Sequence, residues 1–352
     1  MDKKQSVSKQ DALIKSGVVI CPIDKAKNRY RLIIEQYFSD IENDIIDDNK
    51  TIFVYIPKNF SLSIPLFLPD YFADYPDISG FSSILIYADN NSRSIIIEDY
   101  QSKKYDKDLT VVKKVVLEKD AKLSYLILQD ISRDACLNCN TKTVLNKNAD
   151  LNWINIEFGG RTTRQNLLFE LDGASSKANI STLFLADNNQ CFDILVNVVH
   201  NVKNTRSRVI LKGAALGSSK ALYKGIINIK EKARNCNGIL KEEALLLSEQ
   251  AEIESIPVLY VNNDDVKCNH SASISQINKE KLFYLQSRGL DDKSARQIIV
   301  HGFFRSILDE LDAEAIDAEA IGAESIDAEN IDNHLIRKTI ENINKIIKQK
   351  MS

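Results

Sequence analysis

The chain has 352 residues, more than one compact core usually holds and enough for one elongated domain or two ordinary ones. Apolar residues make up 44% of it and 46 basic side chains oppose 49 acidic ones, so a sizeable core is available while a global basic field for nucleic acid or an anionic membrane is excluded. The opening MDKKQSVSKQDALIKSG lacks the apolar run of a signal peptide, and no later segment approaches the ~18 uncharged apolar residues of a membrane span, which predicts a soluble, cytoplasmic protein.

Residues 1–50 mix charge with helical spacing, as in NRYRLIIEQYFSDIENDI, and predict one or two short helices leading into the body. The β core is assigned to 51–272, and from about 80 to 268 the dominant period is two. SSILIYAD, RSIIIEDY, TVVKKVVLE, KLSYLILQDI, NWINIEF, ILVNVVH, SRVILKG and KGIINIKE are short strands rich in Ile, Val and Leu, with Asn, Asp, Lys and Gly at the turns. A small residue recurs before these strands at Ala121, Ala149, Ala178 and Ser207, in steps of 28, 29 and 29 residues, with Ala251 44 further on, about two shorter coils. A repeat in the twenties suits a right-handed parallel β-helix, in which each coil covers the apolar face of the one below. A β-sandwich would show turn signals every ~8–12 residues without the longer repeat, and the solenoid is the better reading. The expected fold is therefore mainly β, a right-handed parallel β-helix core between an N-terminal helical segment and a small C-terminal helical domain.

Residues 273–352 form that last domain. SQINKEKLFYLQSRGL reads as a capped helix ending at Gly289, and DDKSARQIIVHGFFRSILDEL places Ala295, Ile298, Ile299, Phe303, Ile307 and Leu311 at helical spacing. The repeat at 311–332, LDAEAIDAEAIGAESIDAENID, has a five-residue unit that turns ~140° per step on a helix, so its isoleucines cannot share one stripe. With ten acidic residues and no basic one from Asp309 to Asp332, it reads as a solvated acidic spacer. HLIRKTIENINKIIKQK closes the chain as a basic amphipathic helix able to pair back on its predecessor.

No phosphate loop, dinucleotide fingerprint, zinc-protease or serine-hydrolase motif occurs, so the chain offers no ATP site of its own. The six cysteines (21, 136, 139, 191, 236 and 268) in a chain without a secretion signal predict free thiols. Cys136 and Cys139 have metal or redox spacing, but a single CxxC without a second pair is a weak signal. His200 reads as a structural strand residue, His301 as a packed helical one and His334 as a solvated helix end. Cys268 and His270 differ, because residues i and i+2 of a strand share a face. A thiolate and an imidazole together suit iron, zinc or sulfur chemistry, yet two ligands do not close a tetrahedral site, and the others would have to come from a second chain.

The segment DDVKCNHSASISQINKEKLFYLQSRGL resembles the C-terminal signature of the SufB/SufD family, the β-helical scaffold subunits of SUF iron–sulfur cluster assembly. Asp265, Val266, Cys268, His270, Ala272, Leu282, Phe283, Tyr284, Leu285, Ser287, Arg288 and Gly289 fit the pattern. FGGRTTRQNLLFELDGASSKANI, HNVKNTRSRVILKG and EALLLSEQAEIESIPVLYV look like upstream parts of the family. Ser271 stands where the family commonly has glycine, and the acidic repeat departs from it. A small residue after the histidine, where SufB types carry glutamate, makes the chain similar to SufD types. The resemblance implies a non-enzymatic scaffold that pairs with a SufB-type subunit through its β-helix and binds a SufC-type ATPase through its C-terminal helices. It also implies that a nascent iron–sulfur cluster is shared with the partner, with His270 a ligand candidate and Cys268 a weaker one. It leaves any flavin open and implies no nucleic acid or membrane partner.

Overall fold

The computed structural model describes residues 17–38, 50–62, 65–68, 81–101, 108–322 and 332–351. Its body is a β-solenoid of about seven turns, as the period-two strands and the longer repeat predict. Seventeen strands run from β1 (Val19–Pro22) to β17 (Val266–Gln276). From β4 (Phe81–Ala88) onward they alternate between two sheets, the even-numbered strands in sheet A and the odd-numbered in sheet B. Each strand is hydrogen-bonded in parallel to the strand two before and two after it, and only β1 pairs antiparallel, with β2 (Thr51–Ile56). Thus β10 (Thr162–Leu171) lies between β8 (Cys136–Leu145) and β12 (Cys191–His200). On the other sheet, Asp150 of β9 (Asp150–Glu157) pairs with Lys122 of β7 (Lys122–Asp130) and with Lys177 of β11 (Lys177–Ala186). Lys177 in turn pairs with Arg206 of β13 (Arg206–Ala215), and Arg206 with Asn237 of β15 (Cys236–Leu246).

Alternation then sorts side chains by face. Inward positions of both sheets build one continuous core, including Tyr125, Trp153, Phe169, Phe184 and Tyr223, all buried. The turns from sheet A to sheet B repeat one conformation. Asn59, Asn91, Asp120, Asn148, Ser175, Asn204 and Asn235 take φ between 52° and 66°, a left-handed region that asparagine and aspartate enter at least cost. Their backbone N–H groups bond to the turn above, as Asn91 to the Lys119 carbonyl at 3.0 Å and Asp120 to that of Lys147 at 2.9 Å. Side chains extend the ladder, Asn148 Nδ2 reaching Asp120 Oδ1 at 2.8 Å.

Both sheets are partly covered on their outer faces. Residues before 51, expected to be helical, also supply β1, because the β-branched Val19 and Ile20 pair with the edge of β2. Helices α1 (Ile23–Ala26) and α2 (Arg31–Tyr37) follow and pack Ile23, Ala26 and Tyr30 over Phe53, Leu85, Tyr87 and Val116 of sheet A. The rest of the expected N-terminal helical segment lies outside the described residues. At the other end β17 continues to Gln276, four residues past the boundary at 272 read from the change of period. Helix α3 (Lys279–Ser287) is capped by Asn278, whose Oδ1 accepts from Lys281 N at 2.9 Å, and ends at Gly289 with φ +93°. It buries none of its residues.

Helix α4 (Asp292–Gly322) and α5 (Asp332–Lys350) cover sheet B. Val300, Phe304, Ile307, Leu308, Ile343 and Ile347 are buried against Ile97, Leu128, Ile156, Leu185 and Ile210, each worth on the order of 2 kcal/mol in apolar transfer. The buried stripe of α4 is rotated from the expected one: Ile298 is half exposed, and Val300, Phe304 and Leu308 take its place. The two helices pair as anticipated, with His301 Nε2 2.9 Å from Asn344 Oδ1 and Gln297 Nε2 donating to Lys348 O at 3.2 Å. Lys350 then reaches across to Asp187 and donates to Gln190 Oε1 at 2.7 Å. Helix α4 runs into the five-residue repeat as far as Gly322, and 323–331 lie outside the described residues. Among the described residues no helix is long and apolar enough to cross a membrane.

Candidate functional site at the open end of the solenoid

Stacking leaves every coil but the last covered by its successor. The last is built from β16 (Glu252–Val261), which pairs with β14 (Lys220–Ile229), and β17, which pairs with β15. Neither strand has a partner on its other side among the described residues. Cys268, His270 and Ala272 stand opposite Gly238, Leu240 and Glu242 of β15, all three buried and inward. The same alternation points Cys268 and His270 inward, but no further coil closes over them. Cys268 is therefore half-buried and packs on the end of the core, where burial pushes its thiol up. The absent side chain of Gly238 gives it room, since a Cβ there would come within 3.3 Å of the Cys268 sulfur. His270 is exposed, and no hydrogen bond to it is present among the described residues.

One coil below lies an acid that the sequence reading missed. Glu242 is fully buried, accepts a hydrogen bond from Ser255 through Oε2, and leaves Oε1 without a partner among the described residues. Burial raises its pKa to about 7. Gly225 makes the space, because a Cβ at that position would lie 2.4 Å from Glu242 Oε1. The signal was present in KEEALL: with Leu240 and Ala244 inward, Glu242 must also face in, while Glu243 faces out to Lys212 and Lys241 at 3.2 and 2.9 Å.

The structure thus brings a thiol, an imidazole and a buried carboxyl to one end of the solenoid. Among the described residues no three His, Cys, Asp or Glu side chains are grouped closely enough to hold a metal ion. The chemistry available is that of a half-site: a soft sulfur and a nitrogen donor that need further ligands from outside the chain. The surroundings are suited to contact, because Tyr260, Val261, Ile274, Phe283 and Tyr284, all on the last coil or α3, are large apolar residues left exposed.

The remaining candidates fall elsewhere. Cys136 and Cys139 are an odd number of residues apart and point to opposite faces of β8. Cys139 is buried inside beside Thr141, and Cys136 lies outside with Arg161 Nη2 3.3 Å from its sulfur. They cannot share one metal ion or form a disulfide in this strand. All six cysteines are free. His200 is fully buried, with Nδ1 2.7 Å from Thr205 Oγ1 and Nε2 2.8 Å from Ser207 Oγ, and burial lowers its pKa to about 4. His334 opens α5, and its side chain lies outside the description. A second interior polar group lies in the early coils, from β5 (Arg93–Gln101) to β7, where Glu98 meets Lys113, Tyr125 and, at 2.6 Å, Tyr100. Nearby, Gln165 Nε2 donates to Glu157 Oε1 at 2.6 Å.

The architecture is a parallel β-solenoid with an open last coil, a Cys–x–His strand on that coil and a helical pair after it. A family model described as the SufBD core domain of SUF system iron–sulfur cluster assembly matches residues 72–303, and the chain belongs to this family. An iron–sulfur cluster assembly SufBD family protein of Staphylococcus saprophyticus is 26% identical over 310 residues, covering 85% of this chain and 66% of that protein. Counterparts from Staphylococcus epidermidis and Staphylococcus aureus MRSA252 are 26% identical over 314 residues, 86% of this chain and 67% of each of them. The chain spans about two thirds of the length of these relatives.

Proposed function

We propose that this chain is the SufD-type scaffold subunit of a cytoplasmic SUF complex, without an enzymatic activity of its own. It pairs with a SufB-type subunit through the open coil β16–β17, and engages a SufC-type ATPase through α3–α5. A nascent iron–sulfur cluster, the cargo of the assembly, forms at the scaffold interface with His270 as this chain's nitrogen ligand and Cys268 as a secondary sulfur donor. The observation that carries this reading is the position of His270, turned with Cys268 toward the uncovered end of the solenoid amid exposed apolar residues. Exposed strand edges invite pairing with another chain, and a partner there would supply the ligands this one lacks. Membership of the SufBD family supports the cluster, and Ser271 after His270 supports the SufD type. ATP is consumed by the partner, and its domain closure pulls on the helical pair to reshape the interface.

The test is co-expression with SufB-type and SufC-type partners, followed by size-exclusion chromatography and anaerobic iron and sulfide analysis. Wild type should co-elute with both partners and carry cluster iron, whereas His270→Ala should still assemble but lose most of it. Undiminished iron and sulfide in the variant would make this chain a purely structural partner of the ATPase. Failure of the wild type to assemble would remove the partner assignment.

A further inference from the structure

The two helices that cover sheet B are held unequally. Helix α4 is fixed to the solenoid at several points: Arg296 Nη1 donates to Leu247 O at 3.4 Å, Lys212 Nζ donates to Phe303 O at 2.8 Å, and Glu310 accepts from Arg208 Nη1 at 2.8 Å and from Ser181 Oγ at 2.5 Å. Between these bonds Val300, Phe304, Ile307 and Leu308 are buried. Helix α5 lies along α4 instead, through the His301–Asn344 and Gln297–Lys348 contacts and the buried Ile343 and Ile347. Its backbone makes no comparable approach to a strand among the described residues.

The last turn of α5 reaches past α4 to the solenoid. There Lys350 is buried, with Nζ 2.5 Å from Asp187 Oδ1 and 2.7 Å from Gln190 Oε1. The receiving pocket is held together by the solenoid itself. Gln190 Nε2 donates to Phe158 O at 3.1 Å and to Gly160 O at 2.6 Å, its Oε1 also accepts from Asp187 N at 3.0 Å, and Arg133 Nη2 lies 2.7 Å from Asp187 Oδ2. Asp187 therefore keeps a cation when Lys350 leaves. Burial pulls the Lys350 ammonium down from 10.5 to about 8, with Arg133 adding to the fall and Asp187 and Asp130 opposing it. A buried ion pair of this kind fixes a geometry while adding little to the strength of docking.

We propose that α5 is a releasable strap: α4 stays seated on sheet B while α5 lifts away as a unit, with the Lys350 contact as the catch that sets its docked position. The helical domain is thereby divided into a fixed and a movable half, whatever partner engages it. Such local opening suits an element with a short apolar seam and no share in the strand ladder. Release bares Ile343 and Ile347 and leaves Asp187 paired with Arg133. Lys350 gives up its proton near 8 when docked and near 10.5 when free, so docking must tighten as pH climbs past 8, by about tenfold between pH 7 and pH 9.

Hydrogen exchange of the intact chain, read peptide by peptide by mass spectrometry and corrected for the intrinsic rate, tests the strap. Residues 332–351 should open in a step separate from that of 292–311 and more frequent, and about tenfold less often at pH 9 than at pH 7. Lys350→Met should abolish that pH dependence. Lys350→Glu, which sets a carboxylate against Asp187 and Asp130, should strip protection from 332–351 and leave 292–311 and the strands of sheet B as in wild type. One common opening of both helices would overturn the proposal, as would a pH dependence that survives in Lys350→Met. So would a Lys350→Glu chain in which α5 stays as protected as before, or in which α4 is released with it.

Discussion

Glu157→Gln isolates the cost of holding an ionisable group inside the solenoid. Glu157 is fully buried, and burial raises its pKa from 4.5 to about 8 against the opposing pull of Asn155, Lys113 and the Gln165 amide. The folded state therefore keeps a proton at pH 7 that the unfolded chain has released. Stability must fall as pH rises from 4.5 through 8, by ~1.4 kcal/mol per pH unit. That amounts to roughly 3 kcal/mol by pH 7 and roughly 5 kcal/mol by pH 8. Glutamine is the shape of the neutral acid and keeps an oxygen for the Gln165 Nε2 contact at 2.6 Å. Urea titrations should thus give similar midpoints for the two proteins near pH 4.5 and a growing advantage for the variant toward pH 8. A difference that does not vary with pH, or a variant less stable throughout, would refute the reasoning.

Other consequences concern the same interior and the open end. His200 is depressed to about 4, so the unfolded chain takes up a proton first and stability is lost as pH falls from 6.5 to 4, by roughly 3 kcal/mol. Thermal melts of His200→Gln should show a flatter acid limb than wild type. Lys113→Met strands Glu98 without its cation inside the core and should cost ~3–5 kcal/mol, most of it recovered in the double variant with Glu98→Gln, as urea midpoints would show. Gly213→Ala would place a Cβ 2.0 Å from Phe184 Cζ, where Phe184 is held by Phe192 and Tyr223; ~1–3 kcal/mol should be lost, with partial rescue by Phe184→Leu. Phe283→Ser with Tyr284→Ser removes exposed surface only, so the melting temperature should stay within a few degrees while co-elution with partner subunits weakens.

Much of the architecture was legible because strand alternation and a coil-length repeat are written directly in residue type. The register of the small residues was not. Ala121 and Ala149 stand immediately before their strands, whereas Ala178 and Ser207 pair two positions further in. Both positions face inward, so a small residue satisfies either and composition cannot separate them. Ala251 precedes β16 in sheet A, so its 44-residue interval crosses from one sheet to the other and is one and a half coils, not two short ones. At the site, the shared face of Cys268 and His270 followed from their spacing. That they lie on the last, uncovered coil is a property of the stack. The embrace of Asp187 by Lys350 joins residues 163 positions apart and leaves no local trace. Glu242 was readable from alternation, but its neutralising burial depended on the room left by Gly225.

The central claim is that His270 ligates the nascent cluster at the open end of the solenoid. Iron-edge X-ray absorption of the anaerobically assembled complex tests it most directly, with wild type and His270→Ala loaded to equal iron. Wild type should show an imidazole scattering pattern around iron that is lost in the variant. Superimposable spectra would contradict it and leave the chain as the wall against which its partner builds the cluster alone.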